Sequence, residues 1–99
     1  MLLIAALLAL DTPTEVVAER KAWYECLEIY AQVAMVSATS PATIATNALA
    51  TCADERKAFQ LKALRSNSAN DGPSFAALLD REDRDAAKHI VVFINRNRR

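Results

Sequence analysis

Apolar residues recur every three or four positions along most of this chain, which is the spacing of one face of an α-helix. The first such stretch begins at Thr12-Pro13-Thr14-Glu15, which combines an N-cap threonine, a proline at the first helical position and a glutamate at the third. Its predicted core face comprises Val16, Ala22, Trp23, Cys26, Leu27, Tyr30, Val33, Ala34 and Ser37. The pattern predicts a first helix over about residues 12–37.

A second stretch with the same periodicity runs from about residue 41 to residue 65. Ser40 followed by Pro41 repeats the start signal, because proline holds the preceding residue extended and the serine hydroxyl caps the helix. The predicted core face comprises Ile44, Ala45, Ala48, Leu49, Cys52, Phe59 and Leu64. Only three or four residues separate the two helices, so we predict an antiparallel helical hairpin.

A polar linker from Ser66 to Pro73, with the only glycine of the chain, separates the hairpin from a third helix predicted over about residues 74–95. Its predicted core positions are Phe75, Leu78, Leu79, Ala86, Ile90 and Phe93. The apolar run Ile90–Ile94 suits a buried strand or a helix, and we favour the helix because the chain offers no second strand to pair with. The sequence therefore predicts an all-α fold, a small three-helix bundle.

Two cysteines flank the turn of the predicted hairpin symmetrically. Cys26 lies thirteen residues before Thr39, and Cys52 lies thirteen residues after it. Residues equidistant from the turn meet across an antiparallel helix pair, so we predict a Cys26–Cys52 disulfide that clamps the hairpin. Closing a loop of this length stabilises a fold by roughly 3 kcal/mol through chain entropy. Disulfides persist in oxidising compartments, which favours a periplasmic or secreted protein.

The N-terminal residues 1–10 contain a continuous apolar run from Leu2 to Leu10. Its length fits the apolar region of a secretory signal peptide, although no Lys or Arg precedes it and Leu7 is large for the position before a cut after Ala9. We predict a signal peptide here; the alternative is an apolar N-terminal extension that begins the first helix of a cytoplasmic protein. A bilayer span needs about 20 apolar residues, so we predict no stable membrane span.

Length and charge narrow the classes of protein further. Ninety-nine residues fit one helical domain, over residues 11–99. Twelve Lys and Arg balance twelve Asp and Glu, so the formal net charge is zero and no basic surface predicts a nucleic-acid partner.

Catalytic chemistry has little support in the sequence. Glu82, Asp85 and His89 are spaced to share a helix face, and such a set can bind a metal or pass a proton; the simpler interpretation is an Asp85–His89 ion pair. No second histidine, no nucleophile elbow and no glycine-rich phosphate loop is present. We predict no catalytic residue, no metal ligand, no cofactor and no enzymatic activity.

Residues for contact with another protein can be suggested from exposed or surplus apolar character. Tyr24 points away from the predicted core face of the first helix. Ile90, Val91, Phe93 and Ile94 would make the third helix apolar on all sides, which is more than packing on one side requires. We predict these five residues as possible partner contacts.

The pattern Trp23-x-x-Cys26, Tyr30, Pro41, Ile44-Ala45, Ala48-Leu49, Cys52 and Glu55 resembles small secreted bacterial helical-hairpin proteins of unknown function. These proteins carry a signal peptide and two paired cysteines across a helix hairpin, and the resemblance covers about residues 12–60. It implies compartment and shape, not activity. We therefore expect a small non-enzymatic exported protein that acts by protein binding; the alternative is a cytosolic helical adaptor or assembly subunit that oligomerises through its C-terminal helix.

Overall fold

A computed structural model describes residues 14–66 and 72–98, and within these residues the chain forms four α-helices and no strand. The helices are α1 (Thr14–Ala34), α2 (Pro41–Thr51), α3 (Ala53–Ser66) and α4 (Gly72–Asn97). The all-α prediction is confirmed for this part of the chain, and Ile90–Ile94 is helical. The predicted N-cap Thr12 and the apolar run Leu2–Leu10 lie outside the described residues.

The turn between α1 and α2 is built by serine hydroxyls. Ser40 is extended (φ −64°, ψ 149°), and its Oγ accepts a hydrogen bond from the Thr43 backbone N–H at 3.3 Å, as the predicted cap requires. The first helix ends at Ala34 rather than near residue 37. There the Ser37 hydroxyl donates to the Ala34 carbonyl at 2.8 Å, which satisfies a C=O group that the helix leaves without an intrahelical donor.

The predicted second helix, over about 41–65, is two helices, which corrects the three-helix bundle to four helices within residues 14–66 and 72–98. The break is at Cys52, whose backbone (φ −95°, ψ 29°) leaves the α-helical region. The Cys52 N–H still donates to Ala48 and its carbonyl still accepts from Arg56, so hydrogen bonds continue across the break. No proline or glycine marks this site; the distortion coincides with the residue whose side chain is covalently tied to α1.

The Cys26–Cys52 disulfide predicted from the symmetry of the hairpin is present. The two Cα atoms lie 6.0 Å apart, within the ordinary range for a disulfide. Cys52 is fully buried and Cys26 is partly exposed. The bond therefore joins the middle of α1 to the junction of α2 and α3.

In the described part of the chain, an apolar core joins the four helices. α1 packs mainly against α3 and also against α2, and α4 lies against α2 and α1. The buried core side chains are Trp23, Leu27 and Ala31 of α1, Ile44, Ala45 and Ala48 of α2, Cys52, Phe59 of α3, and Ala86, Ile90 and Ile94 of α4. The α1 and α4 contributions each recur every fourth residue, as one face of a helix requires.

Trp23 is the largest side chain of this core and is completely buried. Its ring stacks on Phe59 with centroids 5.4 Å apart and meets Tyr24 edge-on at 5.6 Å. Its indole Nε1 is also buried, and no described residue accepts a hydrogen bond from it. Trp23 therefore stabilises the interface of α1 and α3 through its rings alone.

Polar contacts fix the position of α4 against the other helices. Arg20 of α1 pairs with Glu82 at 2.8 Å, and Arg56 of α3 holds Asp83 through two hydrogen bonds of 2.8 and 2.6 Å. Within the described residues, no helix has both the length and the apolar character needed to cross a membrane.

Candidate functional site

The predicted partner contacts on the C-terminal helix are mostly committed to the core. Ile90 and Ile94 have no exposed surface, so neither side chain is accessible to a partner in the folded domain. Val91 and Phe93 are partly buried and pack against the same core. The run of five apolar residues predicted a surface for contact with another protein. Most of these side chains instead pack in the core that α4 shares with α1 and α2.

The largest exposed apolar side chains near the hairpin turn lie on α1 and directly after it. Ile29 and Val33 are one helical turn apart and are 63% and 71% exposed, and Val36, in the turn that follows, is 87% exposed. We call these three residues the α1 stripe. The sequence pattern placed Val33 on the core face and did not single out Ile29 or Val36; the buried position is instead Ala31.

A second uncovered apolar feature is a groove between α3 and the first half of α4, with a volume of about 300 Å³. It is lined by Lys57, Gln60, Leu61, Leu64, Phe75 and Leu79. Leu64 was predicted to be buried, but the neighbouring Ala63 takes the core position and leaves Leu64 at the surface.

A cluster of polar side chains occupies the contact between α1 and α4. His89 Nε2 lies 2.6 Å from a Glu28 carboxylate oxygen, and the His89 ring contacts the Tyr24 ring with centroids 4.9 Å apart. Tyr24 is thus half-buried between Trp23 and His89 rather than directed away from the protein.

The histidine pairing differs from the sequence prediction. His89 pairs with Glu28 of α1 instead of Asp85 one turn earlier on its own helix, because α4 packs against α1 at this point. Glu82 forms an ion pair with Arg20 of α1. The Glu82–Asp85–His89 face proposed for metal or proton chemistry therefore has two of its three members engaged with α1.

Tyr24 provides a test of this cluster at alkaline pH. Burial raises the pKa of its phenol above the ordinary value of 10.0, the negative charges of Glu82 and Asp85 raise it further, and Arg20 opposes them. The folded protein then binds this proton more tightly than the unfolded chain, so the associated stability is present below about pH 10 and is lost as pH rises through the folded pKa. In Tyr30→Phe, where Tyr24 is the only tyrosine, we expect the tyrosinate absorbance midpoint to lie higher for folded than for urea-unfolded protein. Equal midpoints would contradict the buried position.

One carboxylate lies beside the disulfide. The ligand atoms of Cys26, Cys52 and Glu55 all lie within 4.8 Å of one another. We call these three residues the sulfur–carboxylate cluster. Glu55 is partly buried, and its carboxylate forms no ion pair or hydrogen bond within the described part of the chain. In the disulfide form neither sulfur is a thiolate, so the cluster is not a metal site in that state.

Comparison of the chain with protein-family models, with curated proteins and with solved structures found no match. The resemblance to small secreted helical-hairpin proteins therefore stays a prediction.

Proposed function

We propose that this chain is a small non-enzymatic exported protein, periplasmic or secreted, that binds a helical segment of another protein through the α1 stripe. The observation that carries the proposal is the exposure of Ile29, Val33 and Val36, which is between 63% and 87%. Single exposed apolar residues are ordinary on protein surfaces, whereas an exposed patch of several apolar residues is characteristic of an interaction site.

The spacing of the α1 stripe defines the kind of partner. Ile29 and Val33 follow one another at four residues on α1, which matches the spacing of the apolar seam between two packed helices, and Val36 adds an exposed apolar side chain just beyond the end of the helix. Burying a Val or Ile side chain contributes about 1.5–3 kcal/mol, so three such residues can anchor a partner helix that presents a complementary apolar line.

The disulfide supports the exported part of the proposal. Cysteine pairs of this kind persist in oxidising compartments and are rare in the cytosol, where thiol systems keep them reduced. A signal peptide at residues 1–10, which lie outside the described residues, would supply the route.

The side chains also support a function without catalysis. Both cysteines of the chain are in the disulfide, and its single histidine is engaged with Glu28 and Tyr24. Activating a serine or threonine hydroxyl usually requires a base within hydrogen-bond reach. Among the hydroxyls of the described turn, Ser37 and Ser40 are used to end α1 and to cap α2.

Intact mass of the protein from its native host, with and without reductant, tests export. We expect the N-terminal apolar run to be missing and the mass to rise by two hydrogen atoms on reduction. A retained N-terminus together with two free thiols would refute export and favour the cytosolic adaptor.

The α1 stripe is tested by a photo-crosslinking amino acid introduced at Val33 in the native host. We expect a discrete adduct with another protein at Val33 and none at Lys21, an exposed position on the same helix. Changing Ile29 and Val36 to serine should remove the adduct and change the free energy of unfolding by no more than about 0.5 kcal/mol each, because both residues are exposed.

The identity of the adduct separates this proposal from its rival. An adduct of twice the chain mass, together with a dimer in light scattering that the Ile29→Ser/Val36→Ser variant abolishes, would establish self-assembly instead. Ile90 and Ile94 are buried, so an assembly of folded chains would not form through these two residues of the C-terminal helix. Equal crosslinking at Val33 and Lys21 would refute a role for the stripe in either case.

A further inference from the structure

We propose that the sulfur–carboxylate cluster becomes a zinc site when the disulfide is reduced, with Cys26, Cys52 and Glu55 as the three protein ligands. The same pair of cysteines then joins α1 to the α2–α3 junction by a metal ion in place of a covalent bond. This inference does not depend on the proposed binding function.

Proximity of the three ligand atoms is the first argument. Both sulfurs and a Glu55 carboxylate oxygen lie within 4.8 Å of one another. Two thiolates bound to one tetrahedral zinc ion at about 2.3 Å are about 3.8 Å apart. Once the covalent bond is broken, the two sulfurs must separate to this distance, and rotation about the side-chain torsions of the two cysteines is the movement that the proposal requires.

The second argument is the position of Glu55. It follows Cys52 by three residues, across the break between α2 and α3, so its carboxylate is on the same side as the sulfur. It forms no other ion pair or hydrogen bond within the described residues, and it is partly buried beside two groups that offer it no positive charge. A cation bound between the three groups gives this carboxylate the partner that the disulfide form does not provide.

The donor atoms specify the metal class. Two thiolates with one carboxylate are a sulfur-rich set that favours zinc over magnesium or calcium, which take oxygen ligands. Three protein ligands leave the fourth tetrahedral position to water, and the partial exposure of Cys26 leaves room for it.

The chemistry balances with a thiol reductant as co-reactant. Two electrons and two protons from two reductant thiols convert the disulfide to two cysteine thiols, and the reductant leaves as its own disulfide. Zinc then replaces the two thiol protons, which pass to solvent, while the Glu55 carboxylate coordinates without losing a proton. Attack on the disulfide is expected at Cys26, because Cys52 is fully buried.

A zinc titration of the full chain tests the proposal. The protein is reduced with a phosphine, which is removed under nitrogen, and zinc is added in competition with a chromophoric chelator. Cobalt serves as a spectroscopic probe, since thiolate ligation gives sulfur-to-metal charge-transfer absorption. We expect one zinc per reduced chain, none for the oxidised chain and none for Cys26→Ala/Cys52→Ala.

Glu55→Gln with Asp54→Asn as its matched control identifies the third ligand. Asp54 is an exposed acid one residue away on the same helix and is not in the cluster. Since loss even of a group that only orients a ligand costs 10–100-fold in affinity, we expect Glu55→Gln to weaken zinc binding at least about tenfold and Asp54→Asn to leave it unchanged.

Circular dichroism during the titration distinguishes zinc binding at a folded site from zinc binding by the cysteine thiols of an unfolded chain. We expect the zinc-bound reduced protein to have the helicity of the oxidised protein. Zinc binding without that helicity, equal affinities for Glu55→Gln and the parent, or no stoichiometric binding by the reduced chain would each overturn the proposal.

Discussion

Replacing Trp23 with alanine is expected to lower the free energy of unfolding by about 4 kcal/mol. The side chain is fully buried and stacks on Phe59, and removing a buried large aromatic group loses both its burial and its contacts. A domain of this size has a total stability on the order of 5–15 kcal/mol, so the variant loses a large part of it. Urea unfolding followed by circular dichroism measures the change, because the substitution removes the only tryptophan.

Two further variants show whether the loss in the free energy of unfolding comes from the aromatic ring of Trp23. Trp23→Phe retains an aromatic surface against Phe59 and removes an indole N–H that no described residue accepts, so we expect it to lose less than about 2 kcal/mol. Val36→Ala, at a position 87% exposed, should stay within about 0.5 kcal/mol of the parent. A Trp23→Ala variant as stable as Val36→Ala would show that the core does not depend on this residue.

Removing the disulfide is expected to have the next largest effect. Cys26→Ala/Cys52→Ala opens a covalent loop with a sequence separation of 26 residues, and chain entropy assigns such a crosslink about 3 kcal/mol. Most of this free energy comes from the unfolded chain, which gains conformations once the loop is open. Thermal or urea unfolding of the variant beside the oxidised parent measures it.

The reduced parent, kept with a metal chelator, separates the crosslink from the packing of sulfur. It retains both sulfur atoms, so its loss reports the crosslink, and any further loss in the alanine variant reports the buried volume at Cys52. Thr51→Ala, at the exposed neighbour of Cys52, should change little. If reduction leaves the free energy of unfolding unchanged, the disulfide does not stabilise the fold, and the other contacts are sufficient.

The hairpin and its disulfide could be predicted because both depend on local chemistry and simple counting. Ser40-Pro41 signals a helix start on its own, and Cys26 and Cys52 lie at equal distances from the turn. The break at Cys52 could not be predicted in the same way, because the sequence there has no proline or glycine and the distortion coincides with a bond to another helix.

The face that each helix buries was predicted less well. Tyr30 and Ala31 both follow Leu27 at helical spacing, and the predicted face ran through Tyr30 to Val33 and left out Ala31. The structure buries Ala31, a small residue at the place where α1 meets its neighbours, and exposes Val33. Periodicity identifies a stripe to within about one residue, whereas close helix packing selects for small side chains.

The candidate sites depend on contacts between distant parts of the chain. His89 and Glu28 are 61 residues apart, and no local spacing indicates that they pair. Asp85 was the expected partner because it is the nearest acid one turn away on the same helix. Glu55 likewise could not be placed from local spacing. It lies three residues after Cys52, but its proximity to Cys26 follows only from the fold.

The disulfide also determines whether proteolysis of the hairpin tip separates the chain into two fragments. Residues 37–40 at the hairpin tip are exposed, which makes them an accessible cleavage point. Because Cys26 and Cys52 are covalently joined on either side of that tip, a single cut there leaves one molecule of two linked fragments. Every buried core residue stays within the linked pair of fragments, so the nicked form is expected to migrate as one species in non-reducing electrophoresis until a reductant separates the fragments.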